Sequence, residues 1–571
     1  MGDSKIKSFS RKEVILVPVP KMEFRIQVNM TNEKELQTIL AASAKEIGLD
    51  VKPEEITIEQ TKDKAHGDYA TNLAMKSAKA LHKAPKAIAE ELLKHISSPK
   101  ISKVEIAGPG FINFFLKADS LNSIVTTILE EGEHYGDGEK KDFRINVEFV
   151  SANPTGDLHL GHTRGAALGD SISNLYAKAG YDVTREYYVN DCGNQVEHLG
   201  HSIRERYHEL YGETPNFGDD DYHGVDLIKI AESIKEEYGD KYLEDNQESH
   251  DFFIRYGIDK ELGKIKKDMA DFGVHFDRFS FESDIRKGNT ITDTIEELRQ
   301  KGYVYEKDGA TYLKTTAFLD DKDRPIIKQD GKYTYFMPDI CYHYNKLSRG
   351  YNLLIDCLGA DHFGYLNRMR SALMMKGYSK DVIDFEIYQI VKVYKDDEEV
   401  KMSKRTGKGI THRELVGEVG KDAVRYFFCE RSSDAHLDFD MNLATSKSKE
   451  NPVYYAQYAY ARCASLLEMG KDIGIDSSAK CLTNEKEGNI LKHLSVFPSM
   501  IITAANARAP YKVAGYIHEL ARLIHEYYAS NRIIDRDDIA LTSSRLALVK
   551  ACQIVLKNAL ALLGVSAPEK M

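Results

Sequence analysis

The chain has 571 residues, too many for one hydrophobic core, so two to four domains are expected. Hydrophobic residues make up 42% and charged residues 29%, the balance of an ordinary soluble globular protein rather than a disordered or membrane-embedded one. The net charge of −11 is unevenly spread: residues 1–141 are neutral, 142–450 carry −14 and 451–571 carry +3. The sum therefore neither excludes nor predicts a polyanionic partner.

The seven cysteines are scattered without a C-x-x-C pair, which argues against a cysteine zinc site and a disulfide scaffold and suits a reducing, cytoplasmic setting. No apolar run reaches the ~20 residues of a bilayer span, so no membrane association is expected. Residues 1–28 lack a signal-peptide core and read as a flexible extension, with a transit peptide as the weaker alternative.

Residues 29–138 read as a small α+β domain. Leu36, Ile39, Leu40 and Ile47 have helical spacing, and a second helix starts at Pro85. Between them, Gly67 to Asn72 reads as a turn feeding a helix. Val104–Ile106 and Phe111–Leu116 form a hairpin through Gly108-Pro109-Gly110.

From 139 to 440 strands alternate with helices, which implies a mostly parallel sheet. The run Ile145, Val147, Phe149, Val150 is a strand. It turns through Ser151-Ala152-Asn153-Pro154-Thr155-Gly156 into a helix, and that order builds an anion site at the helix N-terminus. His159 and His162 lie three apart there, on one side of the first turn. Asp182–Val189 is the next strand, and 198–300 reads as a largely helical, charged insertion. A tyrosine-rich hairpin (303–305 and 311–313) precedes a helix at 340–347 and a buried strand at 353–359. Asp361 and His362 follow that strand, where α/β proteins bind ligands, although such a pair is more often a helix cap and a packed histidine. One strand is expected over 385–393. Lys401-Met402-Ser403-Lys404-Arg405 then forms a basic loop, either a solvated turn or a polyphosphate contact.

Residues 441–571 are helical. Tyr454, Tyr458 and Arg462 could stack on unpaired bases or belong to a bundle core. Two histidines at a helix N-terminus and a distant Lys-x-x-Lys loop suit nucleotidyl transfer, in which negative charge builds on phosphate oxygens.

His159-Leu160-Gly161-His162 and Lys401-Met402-Ser403-Lys404 resemble the two signature motifs of class I aminoacyl-tRNA synthetases. The segments 147–166, 187–195, 359–368, 422–428 and 451–462, with 67–74 and 108–116, resemble the arginyl-tRNA synthetases in particular. The resemblance implies a multidomain α/β protein. Its Rossmann-type catalytic core (139–440) lies between an N-terminal α+β domain (29–138) that touches the tRNA elbow and an all-α anticodon-binding bundle (441–571).

The implied activity is arginine–tRNA ligation. ATP enters with Mg2+, no zinc is bound, bound tRNA is needed for activation, and the protein acts as a monomer. The resemblance places His159, Gly161, His162, Lys401, Met402, Ser403 and Lys404 on ATP. It places Glu148, Ser151, Ala152, Asn153, His162, Tyr335 and Asp339 around arginine, with Asp339 taking the guanidinium. Asn72, Tyr454, Tyr458 and Arg462 are the tRNA candidates. A catalytically silent relative that only binds tRNA is the alternative.

Overall fold

The computed structural model describes residues 32–61, 66–98, 100–116, 118–401 and 409–571. The extension 1–28 lies outside them.

The N-terminal unit comprises α1 (Asn32–Glu46), β1 (Ile58–Gln60), β2 (Tyr69–Thr71), α2 (Leu73–Leu81), α3 (Pro85–Leu93), β3 (Ile101–Ala107) and β4 (Phe111–Leu116). Its four strands are antiparallel in the order β1-β2-β4-β3. Leu36, Leu40, Ile88, Leu92, Ile112 and Phe114 fill the core between sheet and helices. The β3–β4 hairpin is as expected, but β1 and β2 stand where only a turn and helices were read. Each is three residues long, too short to carry a period of its own, and β2 is a strand because it pairs with β4 (Tyr69↔Phe114). Helix α4 (Ala118–Glu131) leaves this unit and buries Val125 and Ile128 against the C-terminal helices.

The middle of the chain runs β5 (Arg144–Glu148), α5 (Leu160–Lys178), β6 (Asp182–Val189), α6 (Asn194–Glu209), α7 (Val225–Tyr238), α8 (Gln247–Asp271), β7 (Arg278–Phe281), α9 (Glu282–Arg286) and α10 (Thr290–Gln300). Next come β8 (Val304–Lys307), β9 (Ala310–Leu313), β10 (Arg324–Ile327), α11 (Phe336–Ser348), β11 (Leu353–Gly359), α12 (Leu366–Met375) and β12 (Ile383–Tyr388). The region closes with β13 (Val391–Lys395), β14 (Glu398–Glu399), α13 (His412–Val419), α14 (Lys421–Cys429), β15 (Leu437–Asp440) and α15 (Met441–Thr445).

The central sheet is parallel throughout, in the order β12-β11-β5-β6-β7. The chain builds outward from β5 to β7 and then returns to lay β11 and β12 on the other side. The order reverses between β5 and β11, and their C-terminal ends open the crevice where such sheets bind ligands. Helix α5 lies close on the sheet because of its small residues. A Cβ on Gly169 would meet the Phe149 ring at 2.3 Å.

Three expectations change here. The stretch 198–300 is not all insertion, because β7 is the edge strand of the main sheet. The strand expected over 385–393 is two strands: β12 pairs with β11, while β13 joins a separate sheet with β14 and β15. Helix α11 starts at Phe336 rather than 340, which puts Asp339 inside its first turn.

The C-terminal unit is α16 (Pro452–Met469), α17 (Glu485–Ser495), α18 (Phe497–Asn506), α19 (Pro510–Ser530) and α20 (Ile539–Leu562). By length and composition α20 could cross a membrane, contrary to the expectation that no such run exists. It is instead the bundle's central helix, with most of its length buried against α4, α16 and α19. The expected class is therefore observed: a parallel-sheet core between an N-terminal α+β unit and a C-terminal helical unit.

Candidate active site

The turn after β5 is strained. Val150 (φ 68°) and Ser151 (φ 38°) both occupy the left-handed region that side chains with a Cβ avoid. Local bonds hold them there. The Ser151 hydroxyl donates to Glu148 Oε1 (2.9 Å) and accepts from the Tyr188 amide (3.0 Å), and the Tyr187 hydroxyl donates to the Ala152 carbonyl (2.7 Å). Asn153 donates to Gln195 Oε1 at the start of α6 (2.5 Å). Ser151, Ala152 and Asn153 thus span the C-terminal ends of β5 and β6.

Helix α5 is capped by its own histidines. The Gly161 amide donates to His159 Nδ1 (3.1 Å) and the His159 amide donates to His162 Nδ1 (3.3 Å), a reciprocal cap in which imidazoles replace the usual hydroxyl and carboxylate. The two rings stack with centroids 3.6 Å apart. A Cβ on Gly161 would meet the His159 ring at 2.9 Å, so glycine suits the cap itself. With both Nδ1 atoms accepting, each neutral ring carries its proton on Nε2. Burial lowers His159, with Asp361 opposing. Burial, aided by His159 and His412, pushes His162 down to about 3. The pair is uncharged near neutral pH and offers two N–H donors beside the positive end of a helix dipole.

The second motif begins at Lys401, whose side chain is 75% exposed. Met402, Ser403 and Lys404 lie outside the described residues. The chain beyond them returns to the first motif. Thr411 forms a β-bridge with His159, the His412 amide donates to the Leu158 carbonyl (2.7 Å), and the His412 ring lies 3.0 Å from the Thr163 hydroxyl.

Across the crevice is a buried charge cluster. Asp339, His343 and Lys346 follow one face of α11 at i, i+4 and i+7. His343 Nε2 bonds Asp356 Oδ2 (2.8 Å), and its Nδ1 lies 2.8 Å from the Asp339 carbonyl and 3.2 Å from Asp339 Oδ1. Lys346 Nζ donates to Glu148 Oε2 (2.5 Å) and Asp356 Oδ1 (3.0 Å). The Lys346 side chain is 0% exposed and that of Asp356 4%, whereas Asp339 keeps 28%. Burial alone would lower His343, but Asp356 and Asp339 outweigh it and push it up to about 10. Lys346 and His343 likewise overcome burial and hold Asp356 well below the usual carboxylate range. Burial raises Glu148, with Lys346 opposing. With all groups ionised, three carboxylates face two cations. The cluster is one positive charge short, and its most accessible carboxylate is Asp339.

The hydroxyl that bonds Asp339 belongs to Tyr365, just before α12, rather than to Tyr335. Tyr335 precedes α11 and is 69% exposed. His362 is not a packed histidine. Its side chain is exposed and lies 3.5 Å from Asp361. Sequence reasoning missed His343, Lys346, Asp356 and Tyr365. The available signal was an Asp/His/Lys face on an otherwise apolar helix and a lone carboxylate within Leu353–Gly359.

Of the distant candidates, Tyr454 and Tyr458 stack at 5.9 Å on α16. Arg462 lies over Tyr458 (4.6 Å) and Tyr528 (4.1 Å) and bonds His525 (2.8 Å). Tyr458 and Tyr528 are exposed and Tyr454 is half-buried, so neither candidate tyrosine belongs to the bundle core. Asn72 precedes α2 without capping it, and its buried Oδ1 has no hydrogen-bond partner among the described residues. The N-terminal unit meets the bundle near this residue through an Asp68–Lys492 ion pair.

Three family models match along the chain: "Arginyl tRNA synthetase N terminal domain" over 34–116, "tRNA synthetases class I (R), catalytic domain" over 124–447, and "DALR anticodon binding domain" over 456–571. An arginine–tRNA ligase of Bacillus subtilis is 50% identical over 528 residues, covering 90% of this chain and 94% of the relative. One from Listeria monocytogenes is 47% identical over 556 residues, covering 95% and 100%. Among solved structures, the Thermus thermophilus arginyl-tRNA synthetase superposes with a TM-score of 0.75 at 22% identity, covering 95% of this chain and all of that one, a likeness of fold.

Proposed function

The chain belongs to the arginyl-tRNA synthetase family, and from that premise we propose how its residues divide the reaction. That reaction is the ATP-dependent ligation of arginine to tRNA. The alternative of a silent tRNA-binding relative is not favoured, because near-half identity to arginine–tRNA ligases runs through the catalytic region.

Arginine lies with its guanidinium on Asp339, supplying the positive charge that the Glu148–Asp356–Asp339 cluster lacks. Glu148 stays with Lys346 and shapes the pocket floor. Ser151, Ala152 and Asn153 meet the amino-acid backbone groups. Tyr365 orients Asp339, and Tyr335 covers the mouth from its exposed position. ATP enters as its Mg2+ complex, its phosphates at the α5 N-terminus near Gly161. His159 and His162 donate through Nε2 to the α-phosphate and ribose region.

The arginine carboxylate is already ionised near neutral pH, so it attacks the α-phosphorus without a general base. Pyrophosphate departs as the acyl–adenylate bond forms. Lys401 and Lys404, with Met402 and Ser403 around them, stabilise the leaving group. The terminal ribose hydroxyl of tRNA then attacks the acyl carbon, and AMP leaves.

The domains divide recognition. Residues 29–138, with Asn72, meet the tRNA elbow; 139–440 hold the chemistry; and 441–571 read the anticodon through Tyr454, Tyr458 and Arg462. The protein works as a cytoplasmic monomer. The observation that carries the arginine assignment is the buried cluster with one uncompensated carboxylate. ATP–pyrophosphate exchange tests the scheme with each amino acid, with and without total tRNA. Arginine with tRNA alone should exchange. Exchange with another amino acid would overturn the assignment, and no exchange with retained tRNA binding would revive the silent-relative reading.

A further inference from the structure

Asp356 touches neither proposed substrate, yet both pocket carboxylates lead back to it. It lies in the middle of β11, directly opposite Glu148 of β5 in the parallel ladder, so the two side chains share a face of the sheet. Its oxygens are both committed, Oδ1 to Lys346 and Oδ2 to His343. Each cation carries the connection onward, Lys346 to Glu148 and His343 to Asp339. Resting on the arginine reading above, we infer that Asp356 is a positioning residue for amino-acid recognition. It locks the two cations of α11 so that Glu148 and Asp339 stand at fixed places with one negative charge unmatched.

His343 and Lys346 come from one helix, Glu148 and Asp356 from two adjacent strands, and the strand carboxylate between the two cations fixes the distance from helix to sheet. With Asp356 uncharged, Lys346 would be held by Glu148 alone and His343 would keep only its contacts to Asp339. Neither cation would then be pinned between helix and sheet, and Glu148 and Asp339 would lose their fixed places. Nucleotide binding, on the far side of the crevice at the α5 N-terminus, shares no hydrogen bond with this relay among the described residues.

The test is steady-state aminoacylation of tRNA by Asp356→Asn, His343→Gln, the double variant and Asp339→Asn, with thermal melting of each. Asp356→Asn should raise the KM for arginine roughly 10- to 100-fold while the KM for ATP stays within about twofold. His343→Gln removes only the arm to Asp339 and should raise the arginine KM by less. The double variant should be no worse than Asp356→Asn alone, because both changes break one relay. If Asp356→Asn does not fold, His343→Gln decides by itself: an arginine KM equal to wild type overturns the inference. An unchanged arginine KM in folded Asp356→Asn also overturns it, as does an equal rise in both KM values. Asp339→Asn separates the two levels of argument. If it too leaves the arginine KM unchanged, the arginine reading fails; if it alone raises that KM, only the role of Asp356 fails.

Discussion

The two sides of the crevice handle charge in opposite ways. On the amino-acid side Glu148, Asp339, Asp356, His343 and Lys346 are formal charges, mostly buried and bonded to one another. On the nucleotide side His159 and His162 are neutral, stacked, and tied to the backbone of the helix they begin. The difference suits the ligands we propose for the two sides. A guanidinium keeps its charge throughout the reaction, so a fixed and opposite surplus can select it. Phosphate charge shifts from oxygen to oxygen during transfer. Neutral donors and a helix dipole can follow it.

The sharpest way to break this comparison is Asp339→Ala. Removing the unmatched carboxylate should cost about 2–5 kcal/mol of arginine recognition while ATP affinity persists. Aminoacylation kinetics at varied arginine check it, and a wild-type arginine KM would end the assignment. Next in size, His162→Ala should slow adenylate formation by about 10²–10³-fold with little change in arginine KM, as loss of a charge-stabilising donor does.

The His162 ring also predicts a pH profile. Its folded-state value of about 3 lies below the usual ~6.5, so it is neutral throughout pH 6–8 and contributes no titration there. A limb near pH 6.5 in the exchange rate that disappears in His162→Asn would contradict the neutral-donor role. Smaller effects belong to the distant surfaces. Tyr458→Ala or Arg462→Ala should weaken tRNA by about 1–3 kcal/mol, seen as a raised tRNA KM with arginine KM unchanged. Asn72→Ala should cost about 0.5–1.5 kcal/mol of tRNA affinity by the same measurement, the loss of one hydrogen bond.

The helix N-terminus that carries His159 and His162 was legible in the sequence because its signal is local. A strand, a Gly/Pro turn and two histidines three apart define a helix N-terminus without tertiary information. The buried charge cluster was only partly legible. Asp339 and Glu148 could be named, but Asp356 reaches Glu148 only because β11 pairs with β5 across some two hundred intervening residues, a non-local contact that no spacing encodes. The same reason explains Tyr365, which bonds Asp339 from beyond the next strand while Tyr335, four residues from Asp339, stands exposed. β7 escaped notice because four residues between helices carry too short a pattern. Its strand character comes from pairing with β6.

We propose that the unmatched, partly exposed Asp339 carboxylate selects a guanidinium, and citrulline tests this most directly. Citrulline has the shape of arginine with a neutral ureido group in place of the cation. The measurement is the ratio of kcat/KM for arginine to that for citrulline, in the wild type and in Asp339→Asn. The wild-type ratio should be about 10⁴ or more, because a site built for a charged donor group leaves its own buried charge unpaired on the analogue. Asp339→Asn should lower that ratio by at least about a hundredfold, with the loss coming from the arginine term. An unchanged ratio in the variant would contradict the account.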